Sequence, residues 1–166
     1  MAKKRINKEA LFMVTSFVLC LGFTSFICMA FPALKISQSI AGITATTKVE
    51  GLIAVIGGKI STETASITIL EAKFNFLSLI GYLLPLVAAV LAMLGLSKQK
   101  EILFYIAGVL CLISAGLTLC EGIIFTSVNN VEFLKTSLLF GPIMSSICSI
   151  AAGAVSFGSW YIFHKK

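Results

Sequence analysis

The chain has 166 residues, of which 58% are hydrophobic and only 12% are charged, and its mean hydropathy is +1.02. Soluble domains average about 45–50% apolar and about 25% charged residues, so the composition excludes an ordinary water-soluble domain and a disordered chain. The net charge of +6 comes from 13 Lys and Arg against 7 acidic residues. On so apolar a chain, this charge indicates membrane orientation rather than a nucleic-acid partner. The length predicts a single domain, residues 1–166.

Four apolar stretches of 22 to 24 residues are long enough to cross a bilayer. At about 1.5 Å per residue, each helix would be roughly 33–36 Å long, against a hydrocarbon core of about 30 Å. Backbone groups in lipid must be satisfied within their own segment, so these stretches are expected to be helices. The first is too long for the apolar core of a signal peptide, which is about 7–15 residues. We therefore predict an all-α membrane fold, an antiparallel four-helix bundle with spans at residues 10–31, 74–96, 102–125 and 142–163.

Basic residues divide unevenly between the segments that join these spans. Eight Lys or Arg lie in the two tails and the link 97–101, whereas five are spread over the longer loops 32–73 and 126–141. Because short segments rich in Lys and Arg stay in the cytoplasm, we predict a plasma-membrane protein with both termini cytoplasmic. Trp160 and Tyr161, beside the C-terminal lysines, are typical of an interfacial anchor.

The first outer loop, residues 32–73, is rich in Thr, Ser, Ile and Val, which favours β-strands. The apolar run 51–60 is predicted to be a strand that turns at Gly57 and Gly58, because two glycines suit a two-residue hairpin. An alternative for residues 52–58 is a re-entrant or membrane-resting segment.

Shorter patterns add to this expected sheet. Residues 43–49 alternate weakly and residues 66–70 form a further candidate strand, while residues 128–131 of the second loop are expected to turn between short extended pieces. The four helices are therefore expected to carry a small extracellular antiparallel β-sheet, built mostly from the first loop.

This arrangement resembles the claudin-like family of four-helix membrane proteins, which includes tight-junction claudins and channel-auxiliary subunits. The resemblance lies in the cytoplasmic termini, the long strand-rich first loop, the tight inner link and the shorter second loop. It implies a claudin-like architecture, a bundle capped outside by a sheet. The family's signature, a Trp, a Gly-Leu-Trp and two Cys in the first loop, is missing from residues 32–73. No pore-lining or adhesion residue therefore carries over.

The sequence offers little material for catalysis. All five cysteines lie within the predicted spans and none forms a Cys-x-x-Cys pair, which argues against a thiol oxidoreductase. A disulfide between Cys28 and Cys120 is an alternative to free thiols at these two positions. His164 is the only histidine, and without Asp the chain offers neither a His-based metal site nor a Ser-His-Asp triad. We expect no enzyme activity, no cofactor and no metal.

Glu121 is the one ionisable residue predicted within a span, near its outer end. One interpretation is an ion or proton ligand facing the bundle, since carboxylates inside membranes are costly. The other is an interfacial residue that reaches water or pairs with Lys73 or Lys135. Small residues also recur along three of the helices, which favours close packing within the chain, with an oligomer interface as the alternative.

We interpret the sequence as a non-enzymatic membrane protein whose outer loop associates with another membrane or surface protein, or with a second copy. It would act as a structural, adhesive or auxiliary subunit. Apolar residues rimmed by charge are typical of such a surface, and the candidates are Lys48, Glu50, Leu52, Ile53, Val55, Ile56 and Lys59. The alternative is an oligomeric channel or small transporter that uses Glu121 and the small-residue helix faces. A lipid-handling membrane enzyme is a third interpretation. The expected partners are the lipid bilayer and a protein, without nucleic acid.

Overall fold

A computed structural model describes residues 8–40, 43–61, 68–131 and 134–164. The terminal basic residues Lys3, Lys4, Arg5, Lys165 and Lys166 lie outside this part of the chain, as do Ser66 and Ile67. In chain order the elements are α1 (Lys8–Ile27), a 3₁₀ turn (Cys28–Ala30), β1 (Pro32–Ile40), β2 (Ile43–Glu50), α2 (Gly51–Ile56), β3 (Gly58–Ser61), β4 (Thr68–Ala72), α3 (Phe76–Lys98), α4 (Glu101–Leu119), α5 (Glu121–Asn129), β5 (Lys135–Leu138) and α6 (Phe140–His164).

Four of the described helices, α1, α3, α4 and α6, are long and apolar enough to cross a membrane. They form a ring in which α1 and α4 each pack against both α3 and α6. Neighbours run antiparallel, since Gly95 near the end of α3 faces Phe104 near the start of α4, and Gly81 faces Thr118. The expected class, a mostly helical membrane fold with a small antiparallel sheet, is confirmed.

Small residues bring these helices together inside one chain. A Cβ atom on Gly22 of α1 would lie 2.7 Å from the backbone oxygen of Pro85 in α3, and one on Gly108 of α4 would lie 2.8 Å from the Phe157 ring in α6. Such close approach replaces the hydrophobic drive that lipid removes. The small-residue faces of α3, α4 and α6 are therefore buried by packing within the bundle.

Strands from both loops cover one end of the bundle, called here the sheet end. The three-stranded antiparallel sheet has the order β2-β1-β5, so the second loop contributes an edge strand to a sheet made by the first. Its inner face buries Leu34, Ile36 and Val49, which share a core with Phe125 of α5. The sheet is thus held to the bundle by apolar packing and is not a free loop.

The prediction that the run 51–60 is a strand turning at Gly57 and Gly58 is wrong before the glycines, because Gly51–Ile56 forms α2, whereas residues 58–60 do lie in a strand, β3. A short apolar run does not distinguish strand from helix by itself, and here burial follows helical spacing, with Gly51, Ala54 and Val55 buried. Gly57, with φ +90°, ends this helix and donates its N–H to the oxygen of Ile53, which is a helix-terminating role and not a hairpin turn. The hairpin is instead β3 with β4.

The second loop also differs from expectation. The third span ends at Leu119 and the chain restarts as α5, so the piece before residues 128–131 is helical and not extended. The turn itself is present at Asn130, which has φ 55°, and the expected extended piece follows as β5.

Candidate functional site

Lysine side chains collect on the outer face of the three-stranded sheet. Lys35 of β1 is paired directly with Lys48 of β2. On the other side of β1, Ser37 is paired with Lys135 of β5. Because paired residues and alternate residues of a strand lie on the same face, the three exposed lysines share one surface. We call this surface, Lys35, Ser37, Thr46, Lys48, Lys135 and Ser137, the lysine face.

This charge pattern opposes folding. Like charges directly opposite on neighbouring strands destabilise a sheet, whereas opposite charges contribute about 0.2–1 kcal/mol. The β3–β4 hairpin shows the favourable pattern, with Lys59 paired to Glu71. On the lysine face the nearest carboxylate in β2 is Glu50, which is aligned with Pro32 at the end of the strand pair. The face is therefore basic, and within the described strands no carboxylate is paired with its lysines.

The predicted partner-binding residues divide between surface and core. Lys48, Glu50 and Lys59 are exposed. Leu52 and Ile56 are 40% and 59% exposed, one turn apart on α2.

Two of the predicted surface residues, Val55 and Ile53, instead pack in or against the core. Val55 is fully buried beside Met29 and Tyr82, and Ile53 packs against the core beneath the sheet. In a strand these two residues would lie on the same face, but in a helix residues two apart point in different directions, so Val55 enters the cluster with Tyr82 and Ile53 packs against the core beneath the sheet. The apolar part of the predicted surface is thus reduced to Leu52 and Ile56.

Lys35 and Lys135 were missed as surface partners of Lys48. They lie 13 and 87 residues from it in the chain, and only the strand register brings them together. The alternation of polar Lys35 and Ser37 with apolar Leu34 and Ile36 is the sequence signal that could have indicated their face.

Glu121 does not reach water. The residue is fully buried at the start of α5, and neither carboxylate oxygen has a hydrogen-bond partner among the described residues. Lys73 and Lys135, the expected partners, are both exposed. The interpretation in which Glu121 reaches water or pairs with these lysines is therefore wrong, because its side chain is buried where α5 packs against α3.

A chain of hydroxyl groups crosses the bundle toward its sheet end. Ser25 of α1 is 2.6 Å from Ser145 and 3.2 Å from Ser149, both on α6. Ser149 is 3.1 Å from Ser114 of α4, whose hydroxyl donates to the oxygen of Gly81 in α3 at 2.6 Å. The chain thus joins all four long helices.

Pro85 explains the last of these bonds. Proline has no N–H, so the carbonyl four residues earlier, that of Gly81, loses its helical donor. Ser114 supplies the missing donor from the neighbouring helix. This pairing gives the hydroxyl chain a structural role, since an unpaired carbonyl in lipid is costly.

The five cysteines are unpaired with one another. Cys28, Cys111 and Cys148 are buried, Cys20 and Cys120 are exposed, and all five are free thiols. The Cys28–Cys120 disulfide is therefore not formed. Within the described residues no group of three His, Cys, Asp or Glu side chains is arranged to hold a metal ion.

Four spanning helices with a small strand cap define a multi-pass membrane protein. The sequence matches no protein-family model and no curated protein at a significant level.

Proposed function

We propose that the protein is a non-enzymatic membrane subunit whose sheet end lies outside the cell and binds an acidic surface of another protein. The lysine face carries this proposal. Two lysines are opposed across β1 and β2 where an oppositely charged pair would stabilise the sheet. A negatively charged partner offsets that repulsion, and electrostatic complementarity speeds and orients association.

The rest of the surface supports a protein partner. Leu52 and Ile56 add exposed apolar area on α2, which contacts both β1 and β2. A basic area next to apolar side chains fits an interface with an acidic rim. Two copies of the same basic face repel each other, so this surface favours a different protein over a second copy of the chain.

The claudin-like resemblance is part of the same proposal. It rests on four spanning helices and a sheet to which both loops contribute. In that architecture the sheet end is the outer end, and the short α3–α4 link with Lys98 and Lys100 is the cytoplasmic side.

Orientation is tested by labelling introduced cysteines on intact cells with a membrane-impermeant maleimide. Thr46→Cys, exposed on the lysine face, is expected to react, and Ser97→Cys, exposed at the α3–α4 link, is expected to react only after the cells are opened. The parent chain, with its five native cysteines, is the background control. The reverse pattern would contradict the proposed orientation.

Association is tested by native mass measurement of the protein extracted from its own membrane in mild detergent. The parent chain is expected in a complex that dissociates at high salt, because exposed charge pairs are screened. Lys35→Glu/Lys48→Glu is expected to release the chain, whereas Lys98→Glu/Lys100→Glu, at the opposite end, leaves the complex intact. A complex unchanged by the first pair of substitutions would refute the proposal.

A channel or transporter is the second candidate, and the burial of Glu121 favours it. The small-residue faces, however, are occupied by packing within the chain. The end of the bundle near the termini is filled by apolar side chains that include Leu11, Phe104 and Cys111. Sodium or proton flux into liposomes that is abolished by Glu121→Gln would favour this candidate over association.

A further inference from the structure

Beneath α2, at the sheet end of the bundle, polar groups meet without satisfying one another. Asn75, Ser78 and Tyr82 lie along one face at the start of α3, and Glu121 lies at the start of α5. All four side chains are fully buried. Among the described residues, hydrogen-bond partners are missing for both Glu121 oxygens, the Tyr82 hydroxyl, the Ser78 hydroxyl and the Asn75 Nδ2.

The α5 helix contacts α3 at this end of the bundle, which brings Glu121 near Ser78 and Tyr82. The Glu121 carboxyl interacts with the Ser78 side chain and acts electrostatically on the Tyr82 hydroxyl, although none of these contacts has full hydrogen-bond geometry. In the hydroxyl chain and beside it, by contrast, the buried Ser and Thr hydroxyls have hydrogen-bond partners.

The site is held in place by backbone contacts. The Asn75 N–H donates to the oxygen of Val55 in α2 at 2.8 Å, and the Asn75 Oδ1 accepts from the Ser78 N–H at 3.2 Å. Tyr82 packs with Val55 and Cys28. The start of α3 is therefore fixed, and the polar groups have limited freedom to turn toward other partners.

A buried carboxylate requires a compensating positive charge or a proton, since the ionised group alone is very costly away from water. No lysine or arginine fills this role among the described residues, because Lys73 and Lys135 are exposed. The neighbouring atoms include two hydroxyl oxygens, which are hard ligands of the kind that alkali and alkaline-earth cations prefer. One carboxylate balances one positive charge, whereas divalent sites commonly use more than one.

We propose that Glu121, Ser78 and Tyr82 bind a small monovalent cation, with sodium as the ligand, between α3 and the α4–α5 break. The carboxylate supplies the charge, and the two hydroxyls supply neutral oxygens. Sodium then links α5, which lies under the sheet, to α3. The site is independent of the lysine face and of any protein partner.

The test is thermal unfolding of the purified chain in detergent, in sodium chloride against choline chloride at equal ionic strength and pH. Saturating sodium is expected to raise the unfolding midpoint by about 5 °C. Glu121→Gln is expected to abolish this rise, and Ser78→Ala and Tyr82→Phe to reduce it. Glu71→Gln, an exposed glutamate on β4, is the control and keeps the full response.

Three results would overturn the site. The first is a parent chain with no sodium response, and the second is an equal response in Glu121→Gln. The third is a midpoint that depends on pH but not on sodium, which would mean that a proton alone occupies the carboxyl group. If Glu121→Gln does not fold, the two hydroxyl variants decide, because an undiminished response in both removes the proposed ligands. Radioactive sodium in equilibrium dialysis should show one ion bound per parent chain.

Discussion

The bundle and the sheet that caps it differ in whether their polar side chains have partners within the chain. Inside the bundle, the Ser114 hydroxyl bonds to the Gly81 carbonyl that Pro85 leaves open, and Ser25 bonds to Ser145 across two helices. On the cap, Lys35 faces Lys48 across neighbouring strands, so like charges are paired.

This difference distinguishes polar residues that stabilise the bundle from polar residues that are exposed on the surface. A polar group that finds its partner inside the chain is explained by packing in lipid. A charge arrangement that costs stability and is exposed fits the acidic partner that we propose.

Gly22→Ala in the bundle should have the largest effect. The added Cβ would lie 2.7 Å from the backbone oxygen of Pro85, so α1 and α3 must move apart. We expect a loss of about 2 kcal/mol in the free energy of unfolding, measured by reversible unfolding in mixed micelles. Gly116→Ala is the matched control, because no atom lies within 4 Å of its added Cβ. Alanine's higher helix propensity should make that control neutral or stabilising by up to about 1 kcal/mol. Equal losses at the two positions would show that close packing is not what joins these helices.

Ser114→Ala should have an intermediate effect, about 1–2 kcal/mol, because it leaves the Gly81 carbonyl without a donor. In a Pro85→Ala background the backbone N–H of residue 85 can reach that carbonyl, so the same substitution should lose less. A double-mutant cycle on unfolding free energies measures the coupling, expected to be at least about 0.5 kcal/mol. Thr24→Ala, an exposed hydroxyl bonded only within α1, should change stability by less than about 0.5 kcal/mol. Additive losses at positions 85 and 114 would contradict the structural role of the serine.

Charge reversal on the cap should have the smallest effects, and their signs should differ. Lys35→Glu places a carboxylate opposite Lys48 and should stabilise the sheet by a few tenths of a kcal/mol. Lys59→Glu places one opposite Glu71 and should destabilise the hairpin by a similar amount. Hydrogen exchange of the backbone amides in β1 to β4 measures both changes in local stability. Destabilisation by Lys35→Glu would mean that the lysine pair is already compensated within the chain.

The sequence predicted the bundle well because long apolar runs have one solution in lipid, a helix. It predicted that the first loop forms strands, as in β2, because Thr- and Val-rich segments favour them. It failed at α2, where Leu52 and Ile56 lie on one helical face while Val55 turns into the core. A six-residue apolar run carries too little periodicity to separate the two structures.

The candidate sites were less predictable for a physical reason. The meeting of Lys35, Lys48 and Lys135 depends on the register of three strands, which is a tertiary property. Glu121 is buried directly after a break in the third long helix at Cys120. Neither Pro nor Gly stands at that position, so the sequence does not predict the break. The sequence indicated Lys48 and Glu121 individually, but not the side chains that lie around each of them.

Zero-length carbodiimide crosslinking on intact cells shows directly whether the lysine face contacts an acidic partner, because it joins a lysine amine only to a carboxylate in contact with it. Mass spectrometry of the linked peptides should show Lys35, Lys48 or Lys135 joined to Asp or Glu of a different protein, with no such link from Lys98 or Lys100. The links should disappear at high salt. If the lysine face yields no intermolecular links, or links only to copies of this chain, the proposed association with an acidic partner is wrong.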